Sequence, residues 1–293
     1  MKKVLIFIFI AVVLLGSFFS YEKREAKILF VGDMFFDRHL RKVMYNKGGD
    51  YIFSCVGDFI KNADVVVGNL EGPVTENASV SLISKVESSE NYIFTFPTNV
   101  PALLHKYNIK IVNLGNNHIG NFGKEGIDST QKYLTEAGVK YFGGLAGDEA
   151  ILREDFGGNK ISFISYNEFG GDSAQKVAGK IAEEKEAGRN VIVYAHWGDE
   201  YVVPPQRIKN YAKIFSEAGV DFIIGSHPHV VLESEKINET IVYYSLGNFI
   251  FDQYWNREVS TGLVLELNIK NNKFEILEHR VSINKDGTTC LIN

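Results

Sequence analysis

From residue 27 onward, short runs of consecutive apolar residues alternate with longer amphipathic stretches. The runs are KILFVG (27–32), DVVVGN (64–69), IKIVNLG (109–115), ISFISY (161–166), NVIVYAH (190–196), VDFIIG (220–225) and TIVYYSLG (240–247). β-Branched and aromatic residues fill most of them on successive positions, the pattern of strands covered on both faces. Between them, KEGIDSTQKYLTEAG and PPQRIKNYAKIFSEAG carry helical spacing, and each stops on a glycine suited to the left-handed residue past a helix end. This alternation predicts an α/β fold. Near the end, GLVLELNIKNNKFEILEHRVSI predicts a hairpin that turns at KNNK. No repeat, low-complexity segment or linker interrupts the chain past residue 27, so residues 25–293 are expected to form one domain.

Ahead of this pattern stands MKK, then VLIFIFIAVVLLGSFF, an uncharged run of 16 residues, then the charged YEKREAK. A basic start followed by such a run predicts that residues 1–24 are a secretory signal or an uncleaved membrane anchor. The run is slightly short of the roughly 20 residues that span a bilayer comfortably. The domain that follows is therefore expected outside the cytoplasmic membrane. Composition changes this picture little: 45% hydrophobic and 23% charged residues are ordinary for a globular chain. A net charge of −5 with scattered basic residues argues against a nucleic-acid partner. Cys55 and Cys290 belong to no spaced motif; a bridge would suit an oxidising compartment, but two such cysteines are expected to stand unpaired.

In open α/β folds ligands gather at the carboxyl ends of strands, and here those ends share one chemistry. KILFVG runs into Asp33, with Asp37 and Arg38 just beyond. DVVVG ends at Asn69 and Glu71, and IKIVNLG at Asn116, Asn117 and His118. NVIVYA ends at His196, followed by Trp197, Asp199 and Glu200. VDFIIGS leads to His227 and His229, and TIVYYSLG to Asn248, with Asp252 behind. Singly, each has an ordinary explanation: an aspartate caps a helix, an asparagine pair makes a turn, a histidine rims a core. Jointly, four of the 7 histidines beside carboxylates and amides point to metal ligation by oxygen and nitrogen, with no thiolate. Extended backbone at the residue before Pro228 would keep His227 and His229 close in a loop. Mixed ligands from separate strands suit two divalent metals roughly 3.5–4 Å apart, which activate water as a nucleophile.

GDMFFDR, NLEGPVT, NLGNNHIGNFG, YAHWGDEY, GSHPHVV and YSLGNFIFD together resemble the bacterial capsule synthesis CapA family, also called PgsA-like, over about residues 27–255. That family is similar to the calcineurin-like metallophosphoesterases, which implies a four-layer α/β/β/α sandwich with the metal site above the central sheets. The resemblance implies Asp33 as the first ligand and Glu71, less readily Asn69, in the bridging position. It further implies Asn117 on a metal, His118 as acid or phosphate-contacting base, His196 as the lone histidine ligand, and His227 and His229 one to each metal. Two positions depart from the superfamily pattern: Phe35 replaces the histidine of Asp-x-His, and Asn69 replaces the aspartate after Gly68. Arg38 is expected to grip an anionic group bidentately, and Asp37, Asn69, Asn248 and Trp197 to meet substrate. Asp199 and Glu200 read equally as partners of a ligating imidazole or as solvated charges.

The implied cofactors are two divalent ions drawn from Mn, Fe or Zn. The implied partners are an anionic polymer or phosphoester substrate and a membrane-bound capsule synthesis complex. Two functions follow. One is a metal-dependent hydrolase acting on a phosphoester or a polymer amide; the other is an anchored, non-catalytic component of polymer assembly or export. In either, specificity is expected in loops such as 73–95.

Overall fold

The structure, a computed structural model, describes residues 25–147, 149–270 and 273–292. The leader predicted at 1–24 lies outside them. Among the described residues no helix is long and apolar enough to cross a membrane.

One sheet begins with β1 (Ala26–Met34), β2 (Val65–Leu70), β3 (Ile109–Asn113) and β4 (Lys140–Phe142). The second holds β5 (Ile151–Phe156), β6 (Asn159–Asn167), β7 (Asn190–His196), β8 (Phe222–Ser226), β9 (Ser234–Ile237) and β10 (Thr240–Tyr243). The chain then returns to the first sheet as β11 (Asn248–Ile250), β12 (Thr261–Lys270), β13 (Lys273–Ile283) and β14 (Thr289–Leu291). The orders are β14-β13-β12-β1-β2-β3-β4, with β11 parallel to the end of β1, and β5-β6-β7-β8-β10-β9.

Alternate side chains of β1 explain why its apolar run is continuous. Ile28 and Phe30 point between the sheets, where they join Val65, Val67, Phe163, Ile192 and Ile224 in one core. Leu29 and Val31 point the other way, into a core shared with α1 (Arg38–Lys47), α2 (Gly57–Lys61), α3 (Val100–Lys106) and α4 (Gly123–Glu136). The second sheet packs its outer face, through Val191, Val193 and Ile223, on α5 (Ala174–Glu186) and α6 (Gln206–Glu217). The result is the expected α/β/β/α sandwich. α4 and α6 stop as predicted, with Gly138 and Gly219 at φ of 73° and 94°.

Two features differ from the sequence reading. β4, β5, β9, β11 and β14 were not expected: they are short, or carry consecutive charges on an edge strand, as ILREDF does in β5. Cys55 and Cys290, expected unpaired, form a disulfide with Cα atoms 4.9 Å apart. They are 235 residues apart in sequence, so no local spacing could announce the bridge. β14 carries Cys290 back beside the segment ahead of α2 and brings the two together.

Candidate metal centre

The parallel strands β1, β2, β7 and β8 all end on one side of the sandwich. Asp33 lies at the end of β1, Glu71 just past β2, His196 at the end of β7, and His227 and His229 just past β8. All five are buried, Asp33, Glu71 and His196 completely. Their ligand atoms form two triads, Asp33–Glu71–His229 and Glu71–His196–His227, each with its atoms within 4.8 Å of one another. Glu71 belongs to both. His229 stands 3.4 Å from Asp33 through Nδ1 and 3.6 Å from Glu71 through Nε2. Asn117 extends the second triad, with Oδ1 at 2.9 Å from His196 Nε2.

The loop carrying the last two histidines is strained. His227 and His229 have φ of 96° and 59°, and Arg38 and Tyr201 nearby have 46° and 64°. Each such residue costs roughly 1–3 kcal/mol and persists where its surroundings over-determine it. The extended conformation expected before Pro228 is therefore not adopted: the His227 N–H turns inward and donates to Asp33 Oδ2 at 3.1 Å. Gly32 and Gly225 make room for the close passage of the 244–247 segment at this end of the sheets. A Cβ on Gly32 would stand 1.8 Å from the Gly247 carbonyl oxygen, and one on Gly225 2.0 Å from that of Tyr244.

Without metal, the centre disfavours charge on Glu71, His196 and His227. Burial, then the neighbouring Asp33, push the Glu71 carboxyl well above its usual range. Burial, then His229, lower His227 to about 3, and burial with its histidine neighbours depresses His196 strongly. Neutral imidazoles are the form a metal requires. Among the described residues, buried Glu71 Oε1 and His227 Nδ1 also find no hydrogen-bond partner, a cost that native structures seldom carry without a ligand or ion to satisfy it. The donor set, the shared carboxylate and these orphaned atoms fit divalent metal.

The remaining expected residues divide into those near the centre and those the fold withholds from it. His118 is half-buried, tilted against Phe94 at 4.1 Å, with Nδ1 3.3 Å from Asn121 Oδ1. Burial lowers it to about 4, so at pH 7 it meets a ligand as a neutral group, ready to accept a proton rather than lend one. Arg38 lines the cleft beside the centre, but its guanidinium already grips Asp252 through Nε at 3.1 Å and Nη2 at 2.5 Å. It also lies over the rings of Phe35 and Phe94. Phe35, where the superfamily has histidine, stacks 4.8 Å from Phe251 in the aromatic core and offers no ligand.

Four expected substrate contacts are corrected. Trp197 is wholly buried, donating Nε1–H to the Tyr244 carbonyl, and forms part of the α5–α6 core rather than a cleft wall. Asp37 is wholly buried and spent on Arg41, the Ser81 hydroxyl and the Thr95 N–H, which fasten the 81–95 loop. Asn248 is buried beneath His229; its Nδ2 donates to the carbonyls of His229 and Val259 and to Gln253, so its Oδ1 accepts from His229 Nδ1 at 3.0 Å. That bond leaves His229 Nε2 as the lone pair turned toward Glu71. Asn69 is wholly buried among the carboxylates and amides and reaches no open surface. Asp199 pairs with Arg207 on the surface, the solvated alternative, while Glu200 lines the cleft.

The cleft has a volume of about 800 Å³ and is walled by α1, residues 81–92, and the loops after β7 and β11. Tyr92, Tyr201 and Trp255 face it, and the Tyr201 ring reaches within 6.0 Å of His229. From the sequence, Tyr201 read as a core aromatic or as a crevice wall, and the structure places it on the cleft; Gln253 and Asn113 were given no role. Asn116 stood in the strand-end inventory without one.

A layered α/β/β/α sandwich with two carboxylate–histidine triads at the ends of its parallel strands defines a metallophosphoesterase-like fold. Residues 27–253 match the family described as bacterial capsule synthesis protein PGA_cap, and the chain belongs to that family. It is 31% identical to the PGA biosynthesis protein CapA of Bacillus subtilis over 88% of this chain and 72% of that one. It is 28% identical to the capsule biosynthesis protein CapA of Bacillus anthracis, over 88% of this chain and 67% of that one. Among solved structures, a hypothetical protein from Thermus thermophilus shares the fold, with a TM-score of 0.54 at 15% identity, over 87% of this chain and 98% of that one.

Proposed function

We propose that this protein is a metal-dependent hydrolase that acts outside the cytoplasmic membrane in the biosynthesis of a capsular or cell-wall polymer, poly-γ-glutamate among the candidates. The observation that carries the reading is Glu71, a buried carboxylate common to two His-containing triads, with an oxygen that no protein group satisfies. Asp33, Glu71 and His229 would hold one divalent ion; Glu71, His196, His227 and Asn117 would hold the other. Bound there, the metals would supply Lewis acidity and a nucleophile derived from water. The chain's own groups do the rest. His118, half-buried against Phe94 and neutral at pH 7, is available to take a proton. Asn248, itself bonded to Gln253, orients His229, and residues 81–92 wall the cleft beside Arg38. The relatives' names support a role in capsule polymer synthesis, with an anionic polymer or phosphoester as substrate. The Cys55–Cys290 disulfide supports an oxidising, extracytoplasmic location, as does the apolar run at 4–19. Work within a membrane-bound synthesis complex follows from that run if it is retained as an anchor.

Two observations favour the non-catalytic alternative, an anchored component that holds polymer. The arginine on the cleft wall, Arg38, is already neutralised by Asp252, and His118 is not in its acid form at pH 7. Elemental analysis of the wild type and His227→Ala, beside a phosphodiester assay with added Mn, separates the two. About two ions per chain, lost together with turnover in the variant, are the expected result. A folded wild type with neither metal nor turnover would move the assignment to the polymer-holding component.

A further inference from the structure

The side-chain amide of Asn69, at the end of β2, lies against the carboxylates of the centre, and its neighbours decide which way it faces. Asn116 Oδ1 accepts from the backbone N–H groups of His118 and Ile119, at 3.1 and 2.9 Å. Its Nδ2 must therefore point the other way, where it meets the Leu70 carbonyl at 2.8 Å and Asn69 Oδ1 at 3.2 Å. Asn113 is fixed in the same manner. Its Oδ1 accepts from the Gly115 N–H and the Ser165 hydroxyl, and its Nδ2 donates to the Gly115 carbonyl and to Asn69 Oδ1 at 3.3 Å. Two amide donors thus occupy Asn69 Oδ1. The Asn69 NH₂ is left facing Asp33 Oδ1 at 2.8 Å, Glu71 Oε2 at 3.5 Å and His196 Nδ1 at 3.3 Å. Turning the amide over would set NH₂ against two NH₂ groups and an oxygen against a carboxylate, losing every bond at once.

We infer that Asn69 is a positioning residue and not a metal ligand: a ladder of three asparagines, anchored in backbone, presents its NH₂ to the two ligating carboxylates and holds them in place. This rests on the metal-centre reading above. The ladder restrains Asp33 and Glu71 in the metal-free protein, because the Asn69 NH₂ is hydrogen-bonded to one oxygen of each. It also leaves the other oxygen of each turned from the amide, on the side of His229. Partners of this kind typically set affinity by about 10- to 100-fold when removed.

The test is calorimetric titration of Mn²⁺ into the chelator-treated full chain, with thermal unfolding of the metal-free forms measured alongside. Asn69→Ala should bind as many ions as the wild type, with affinity about 10- to 100-fold weaker. Asn113→Ala, which removes one rung and is expected to fold even should Asn69→Ala fail, should weaken binding in the same direction by less. Loss of one ion per chain in Asn69→Ala, with Asn113→Ala unchanged or tighter, would make Asn69 a ligand and overturn the inference. So would a lowered melting temperature with wild-type affinity, the mark of a merely structural role. A wild type that binds no Mn²⁺ overturns this inference and the metal-centre reading together. A wild type that binds while both variants match it overturns this one alone.

Discussion

The metal-free protein should lose stability steeply in mild acid, and the buried imidazoles set the size of the loss. His227 is lowered to about 3 and His118 to about 4, whereas both titrate near 6.5 in the unfolded chain. A depressed imidazole binds its proton more weakly when folded, so as pH falls below about 6.5 the unfolded state takes up protons first and gains on the native state. At pH 4, about 2.5 pH units below the unfolded value, keeping His227 neutral costs about 3 kcal/mol, at about 1.4 kcal/mol per unit. His118 costs nearly as much. Each also repels the shared neighbour His229, so the two do not add in full, and together these two imidazoles are expected to contribute about 3–5 kcal/mol of loss between pH 7 and 4. That is a large share of the roughly 5–15 kcal/mol by which a domain is folded. Glu71 works in the opposite sense: raised when folded, its protonation favours the native state as pH falls toward the usual carboxylate range, so Glu71→Gln removes a compensating gain. The assay is urea unfolding of chelator-treated protein at pH 7, 6, 5 and 4.5, for the wild type and His227→Gln. The variant should lose clearly less stability across the series. Parallel loss in both proteins would refute the reasoning. Mn²⁺ at about 100 times its dissociation constant should add about 2.7 kcal/mol, and this gain should fade as protons compete for the imidazoles.

Three further outcomes are expected. Replacing both cysteines by serine should cost about 2–4 kcal/mol, because the bridge closes a span of 235 residues; melting with and without reductant checks it, and free thiols in the oxidised native protein would exclude the bridge. Trp197→Ala should destabilise by about 3–5 kcal/mol as a core truncation, with turnover per folded molecule little changed; a selective rise in KM would return Trp197 to the cleft. Asp252→Asn releases the Arg38 guanidinium from a largely buried pair. Inorganic phosphate should then compete about fivefold better, in line with the ~1 kcal/mol of a partly exposed ion pair, and unchanged inhibition would mean that Arg38 does not face the anion.

Much of the fold was legible because burial writes itself into local pattern. β1 reads as KILFVG without alternation since Ile28 and Phe30 face one core and Leu29 and Val31 another. β5 escaped notice because an edge strand with Arg153, Glu154 and Asp155 resembles a solvated loop. The ligand types were legible for a related reason: a strand that ends at a site must deliver its side chain there, so Asp33, Glu71, His196, His227 and His229 each follow an apolar run. What a residue beside such an end does was not legible. Trp197 follows His196 directly and points into the opposite layer. Asp37 lies four residues past Asp33 and spends its carboxylate on a loop.

By itself, then, the sequence determined the alternation of strands and helices, the two buried faces of the central strands and the inventory of ligands at their ends. These depend on period, composition and neighbours along the chain. Only the tertiary structure decided that Cys55 meets Cys290, that His227 takes a left-handed conformation, and that Asn69 turns its NH₂ to the carboxylates. Each of these is settled by groups far away in sequence. Asn69 answers to Asp33 and Asn113, 36 and 44 residues distant, and the His227 N–H answers to Asp33 across 194. Sheet register brings those groups within hydrogen-bonding reach, and no local preference of the chain encodes that distance.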